Sequence, residues 1–288
     1  NTVAPVVSHD QMVLDVQVSV PEPIAVNTNI DLNKYASLKE WNKRVEYLND
    51  LVLFASLNYN ASTYNTNNTN NNQQRAFWQI VTTALGDVHF RVVESALAVV
   101  LSAIHENTPV QVAEEVLVKC ASALIHHRQR KGVVELTAKV TARINESISN
   151  EALLSTVFPV IFSRLDVLGA SRLKAQLLRM MEETIRSCYL IRGRMSLITS
   201  VKPLISGKLS LGLCDPDTIV AQATRAMFLV LIGVVGRRLT EKEIVPLIRS
   251  HGCKALLSAL IDANPSLLPR SPKHLLVDDE IMVNTDIP

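Results

Sequence analysis

The feature that most constrains this chain is a repeated unit. An amphipathic stretch, a short polar turn and a second amphipathic stretch recur at intervals of roughly 35 to 45 residues. The apolar spacing predicts helices over 38–53, 75–85, 90–105, 110–125, 133–148, 151–165, 171–190, 194–211, 217–235, 241–250 and 254–263. The punctuation fits. Gly86-Asp87, Gly169, Asp215-Pro216 and Gly252 break the pattern, and Pro109 stands where a helix opens. Asn150 and Thr240 read as caps, with Glu243 three residues after Thr240. Pro159 and Pro203 fall inside helical stretches, so a kink is expected at Pro159. A helix pair of this size cannot bury its apolar face alone. Stacking about six pairs makes one continuous core, which is an all-α solenoid. A helical bundle is the competing arrangement, and the steady succession of pairs favours the solenoid.

Composition agrees. Hydrophobic residues make up 48% of the 288, while aromatics are 5% and glycines only nine. Such a chain packs aliphatic helices rather than a β-sandwich or a glycine-rich nucleotide fold. The formal net charge of +2 excludes little. Cys120, Cys188, Cys214 and Cys253 lie far apart without CxxC spacing, so reduced thiols are expected rather than disulfides or zinc ligands. Residues 227–236 form the most apolar run, too short to span a bilayer. Pro5, Asp10 and Asp15 interrupt any signal-peptide core. An intracellular soluble protein, or a piece of one, is expected. Residues 1–28 read as an extended or disordered arm, 29–263 as the helical domain and 264–288 as a tail. Residues 58–74 are Asn-rich and polar, and read as a flexible loop.

Catalytic signatures are missing: no phosphate loop, Rossmann glycine pattern, GxSxG or HExxH occurs. Adjacent His126 and His127 diverge by about 100° on a helix and have no acidic or cysteine partner nearby in sequence. Asp215 and Asp217 flank Pro216 at a helix start, where carboxylates cap. The expectation is a protein that is not an enzyme and needs no metal or cofactor.

The stretch 38–53 carries the sharper question. Leu38, Trp41, Val45, Leu48, Leu51 and Val52 share one face, and Ser37 with Glu40 reads as a capping box. Trp41 lies in the first turn beside Lys39, Lys43 and Arg44. It either closes the end of the core or shows a face to a partner. Basic residues then recur at the turns inside the pairs. Arg91 follows Asp87, Val88 and His89; Arg128, Arg130 and Lys131 make the next turn; Arg172 and Lys174 follow in the one after. In a solenoid these turns line one edge, so the charges form a ridge with one aromatic. Solvated helix-end charge is the bland alternative.

These residues resemble a known family. Trp41 and Arg44 followed by Val45, Leu48 and Leu51 look like the W-x-x-R-x-x-x-L opening of TOG domains, the tubulin-binding HEAT-repeat modules of microtubule polymerases, CLASP proteins and ciliary relatives. Residues 86–101 are similar to the family's second turn and helix, 167–181 to its fourth, and 213–236 to its fifth. Two departures stand out. Ala170 occupies a position that is often Asp, and Val220 is followed by Ala221 and Gln222, with the next basic residue at Arg225. The resemblance implies αβ-tubulin or microtubules as partner and a cytoplasmic, cytoskeletal location at microtubules, spindle or cilium. It also implies a site of Trp41, Lys43, Arg44, His89, Arg91, Arg128, Arg130, Lys131, Arg172, Lys174, Asp217 and Thr218. Two rivals remain. A generic HEAT scaffold would bind another protein through its helical face. Nucleic-acid binding is disfavoured by near-neutral charge and the lack of repeated aromatics, and no membrane partner is expected.

Overall fold

The computed structural model describes residues 30–58, 68–165 and 170–264. Every regular element among them is helical: α1 (Leu32–Ser37), α2 (Trp41–Asn58), α3 (Asn68–Ala84), α4 (Phe90–Ala103), α5 (Val110–His126), α6 (Lys131–Ser147), α7 (Asn150–Ala152), α8 (Phe158–Arg164), α9 (Ser171–Leu204), α10 (Ser210–Gly212), α11 (Thr218–Val235), α12 (Arg237–Leu239) and α13 (His251–Ala263). Gly193, at φ 78°, divides α9 into segments 171–192 and 194–204. Only glycine adopts that conformation without strain, so the break expected there is made by this residue.

The helices form two layers. α2, α4 and α6 stack on one another, then α9, α11 and α13 continue that layer; α1, α3, α5 and α8 stack in the other. Each helix of the second layer precedes, through a short turn, its partner in the first. The turns at 38–40, 85–89, 127–130, 213–217 and 248–250, and the start of α9 at Ser171, therefore share one edge. This is the all-α solenoid of HEAT-like pairs read from the period. The core between the layers is aliphatic with a few rings: Leu48, Phe77, Leu97, Ile144, Leu153, Phe158 and Phe228 are fully buried.

The prolines leave a physical trace. Pro lacks an amide for the carbonyl four residues back, and helices widen near it. Wide π-helical turns occur at Leu153–Val157 before Pro159, Ile205–Leu209 after Pro203 and Thr240–Ile244 before Pro246. The helical rod thus continues across Pro159 by widening. α11 is apolar enough, at a mean hydropathy of 1.9 over 18 residues, to cross a membrane by length and composition alone. Its packing between α9 and α13 accounts for that composition, with Val220, Met227, Phe228, Leu231 and Val235 buried.

Several local expectations are corrected. Ser37 ends α1 and its hydroxyl donates to the Lys34 carbonyl, so the capping box with Glu40 does not form. The first helix is capped instead by Asp31, which accepts from the amides of Asn33 and Lys34. Ser149, not Asn150, caps α7, accepting from the Ala152 amide; Asn150 is buried. Thr240 is no cap either: it is buried inside a helical rod that already began at Arg237, and its hydroxyl donates to the Gly236 carbonyl. Finally, 68–74 belongs to α3 rather than to a loop. Phe77, Trp78, Ile80 and Val81 bury one face of α3, and a helix nucleated by packing propagates cheaply into a polar N-terminal extension. The rest of the Asn-rich tract, the N-terminal arm and the tail beyond 264 lie outside the described residues.

Candidate interaction ridge

The site begins at the start of α2. Trp41 is that helix's first residue, seven positions before the buried Leu48, and it stays 38% exposed. Its indole stacks on the His89 imidazole at the neighbouring turn, centroids 4.3 Å apart and 11° from parallel. His89 in turn stacks beside Phe90, at 5.3 Å and 22°. Two guanidinium groups flank these rings. Arg91 lies 5.4 Å from the centre of Trp41 and 6.0 Å from Phe90; Arg130, from the third turn, lies 4.4 Å over Phe90. Cation–π contacts at exposed sites contribute about 0.5–1 kcal/mol each. Three successive turns are thereby tied into one surface of alternating rings and cations. Val88 stands at its tip, 91% exposed. An open depression of about 460 Å³ lies between the first two turns, lined by Lys39, Trp41, Asn42, Val88 and His89 among others.

Asp87 holds this surface from beneath. One carboxylate oxygen takes the Arg44 guanidinium at 3.0 Å, and the other accepts from the His89 amide at 2.8 Å. Its backbone carbonyl meets His127 Nε2 at 3.2 Å, joining the second turn to the third. The Asp87 side chain is 7% exposed and that of Arg44 24%, so this ion pair is largely desolvated. Tyr35 lies close by: its hydroxyl is pushed up to about 12, first by burial and then by the Asp87 charge, with Arg44 opposing. Arg44 therefore braces the turns, while Trp41, Arg91 and Arg130 are exposed above the half-buried rings of His89 and Phe90. Lys43 is exposed and bound to Glu40 at 3.3 Å. Arg128 is exposed in the third turn, and Lys131 is the first residue of α6, ion-paired to Glu135 at 3.5 Å.

The fourth and fifth turns are built differently. Asp217 caps α11, accepting from the Ile219 amide at 2.9 Å. Its carboxyl is held below the usual range, chiefly by the Ser171 hydroxyl, then by the Ile219 amide, with Arg172 adding a smaller pull. Ser171 is the first residue of α9, so this bond ties the fourth turn to the fifth. Asp215 accepts from the Asp217 amide at 2.9 Å and serves the same turn. Arg172 and Thr218 are exposed and Lys174 is half-buried. Instead of rings, this end shows exposed Leu211 and Ile219.

Of the residues singled out in sequence, the structure thus brings Trp41, His89, Arg91 and Arg130 together, with Arg44 underneath. Arg172 and Asp217 form a separate group. Reasoning from sequence missed three participants. Phe90 reads as the start of a core helix, Asp87 as a helix breaker and Ser171 as an ordinary first residue. Asp87 had one signal, an Asp two residues ahead of a helix start and able to close a turn. Among the described residues no cluster of three His, Cys, Asp or Glu is placed to hold a metal ion.

Neither protein-family models nor curated proteins yield a match to this chain. Among solved structures, the chain is similar to the crystal structure of the MAST/Orbit N-terminal domain. Identity is 15%, the TM-score is 0.49, and the match covers 82% of this chain and 96% of that one. Similarity at this level adds nothing about function.

Proposed function

We propose that the chain is a non-catalytic tubulin-binding module that engages αβ-tubulin through its edge of intra-pair turns. One observation carries this reading: the ladder across three consecutive turns in which exposed Trp41, Arg91 and Arg130 stack on the half-buried rings of His89 and Phe90. Aromatic and arginine side chains are the residues that dominate binding energy at protein interfaces. The ladder is preorganised by Asp87, so ordering it on binding costs little. Its cations suit an acidic protein surface, and the opening motif at Trp41 and Arg44 resembles that of tubulin-binding modules. In this reading Trp41 and Val88 make the desolvated contact, and Arg91, Arg128 and Arg130 speed encounter by charge. Arg172, Asp217 and Thr218 add a second, weaker contact. The module acts in the cytoplasm on microtubules, with no nucleotide or metal of its own.

Gel filtration with free αβ-tubulin and co-sedimentation with microtubules test it. Co-elution or pelleting that Trp41→Ala abolishes supports the reading. Failure of the unmodified chain to associate with tubulin in either assay sinks it, and leaves a scaffold for some other protein.

A further inference from the structure

The edge opposite the ridge carries a surface of its own, where α9 breaks at Gly193. Because α9 starts at the ridge with Ser171, its 171–192 segment ends on the far edge, beside the ends of α6 and α11. Leu190 is 79% exposed, Ile191 68% and Met195 58%, all within six residues. Arg192 and Arg194 are interleaved with them, both exposed, and neither is ion-paired among the described residues. Arg238, just past the end of α11, is a third such cation on this edge. The flanks are firmly held. Cys188 is buried and Tyr189 packs on the core, while the Ser196 hydroxyl donates to the Glu151 carboxylate. The patch is thus a fixed knuckle of three apolar side chains among arginines. In sequence these residues pass for the end of a core helix, so no membrane contact is expected from them; their exposure is what points to a partner.

We propose that the knuckle is a peripheral membrane contact, seated on an anionic phospholipid surface. Charge carries the choice of partner. The sequence has no Asp or Glu between Glu183 and Asp215. The carboxylates at the neighbouring helix ends are already engaged: Glu146 by Arg143, Glu151 by Ser196, and Glu241 and Asp262 by Arg237. Arg192, Arg194 and Arg238 are therefore left for an anion from outside the chain. The mixing of the two chemistries selects lipid over an acidic protein. At a protein interface apolar side chains form a core and charges a rim. Here the arginines lie between the apolar residues, in the order Leu-Ile-Arg-Gly-Arg-Met over 190–195. A headgroup layer admits that mixture at any point, because arginine stems bury while their heads stay with the phosphates. Leu190, Ile191 and Met195 enter the boundary between headgroups and acyl chains, where their burial adds to the charge attraction. This contact uses the edge opposite the tubulin ridge, so the two readings stand or fall separately.

Flotation of the full chain with lipid vesicles tests it. The chain is expected to float with vesicles of about 30% phosphatidylserine in phosphatidylcholine, and about fivefold less with phosphatidylcholine alone. Arg192→Glu together with Arg194→Glu should lower binding about tenfold. Leu190→Ser together with Ile191→Ser keeps both charges and should lower it about as much. All four side chains are exposed, so the melting temperature of either variant should not move. Arg75→Glu together with Lys139→Glu, an equal charge reversal at exposed positions on α3 and α6, should leave flotation unchanged. Flotation that survives both knuckle variants, or that the reversal at Arg75 and Lys139 lowers equally, overturns the proposal. So does a chain that ignores the anionic vesicles, which would leave the knuckle to an acidic protein segment.

Discussion

The two halves of the ridge solve the same topological problem with different chemistry. Turns one to three are joined at Asp87: its buried carboxylate binds Arg44 of α2 and the His89 amide of its own turn, and its backbone carbonyl meets His127. With the polar work done below the surface, the Trp41 ring and the Arg91 and Arg130 guanidinium groups above are left to face solvent. Turns four and five share an exposed carboxylate. Asp217 joins Ser171 to the start of α11, and its negative charge sits among the outward groups beside Arg172. A charge used for bracing in the open is not available as a clean cationic surface. Recurrence of basic residues at the same place in each pair therefore does not make a uniform ridge. Where the bracing carboxylate lies decides which turns present binding chemistry, and the first half is the one that does.

The comparison breaks most visibly at the buried buckle. Removing one partner of a largely buried ion pair leaves the other uncompensated. Arg44→Ala is therefore expected to cost roughly 3 kcal/mol of stability, read as a clear fall in melting temperature by circular dichroism. Asp87→Ala should be at least as damaging, since it also strips the His89 amide of its acceptor. Near-wild-type melting of both variants would show that Asp87 does not organise the first three turns.

Next in size is the surface those turns hold up. Trp41→Ala is expected to weaken tubulin binding by about 2 kcal/mol, roughly thirtyfold in Kd. The stability change should be only about 1 kcal/mol, the size of a ring stack and a cation–π contact. Leu48, Leu51 and Ala55 still anchor α2 in the core. Melting temperature and tubulin affinity measured in one buffer separate the two roles. A large loss of stability with unchanged affinity of the folded fraction would assign Trp41 to the core after all.

What could be read from the sequence follows from how locally each feature is encoded. The helix pairs are written in apolar spacing and in breakers such as Gly86-Asp87 and Asp215-Pro216, so the solenoid was legible. The tips of the turns, with Trp41, His89 and Arg91, were legible for the same reason, as positions at helix starts. Partnerships between turns were not, because Asp87 and Arg44 lie in different pairs and only stacking brings them together. Capping was misjudged for a related reason. Ser37, Asn150 and Thr240 each have a cap's chemistry, yet a neighbour or an earlier helix start claimed the role. The helical 68–74 shows the converse: packing of Phe77 and Trp78 overrides the poor helix propensity of asparagine.

A charge comparison between the halves should give a smaller effect. Replacing Arg128, Arg130 and Lys131 together with Glu is expected to weaken tubulin binding about tenfold at low salt. Replacing Arg172 alone should weaken it only about twofold, and both losses should shrink at high salt because exposed charges are screened. Affinities measured across a salt series check this. Equal losses would mean that the fourth turn contributes as much as the third, and that the asymmetry seen in the structure does not reach the partner.

The smallest effect concerns the exposed brace. The folded protein holds the Asp217 carboxyl below its ordinary value, first through the Ser171 hydroxyl and the Ile219 amide. A carboxyl with a depressed folded pKa binds its proton more weakly folded than unfolded. Its stabilisation is therefore fully present above the unfolded pKa, near 3.8. It fades as pH falls through the lower folded value. Asp217→Asn removes the charge but keeps a side-chain oxygen that can cap α11. The variant is expected to melt slightly below the unmodified chain at pH 7, and the difference should close as the pH is taken down below 3.8. Thermal melts of the pair across that range measure it. A gap that widens in acid would reverse the sign and show that the Asp217 charge is tolerated rather than used. Ser171→Ala should give a similar small loss at pH 7, because it removes the first cause of the depressed pKa. If Ser171→Ala has no effect while Asp217→Asn does, Asp217 caps its own helix only, and the fourth and fifth turns are not joined through it.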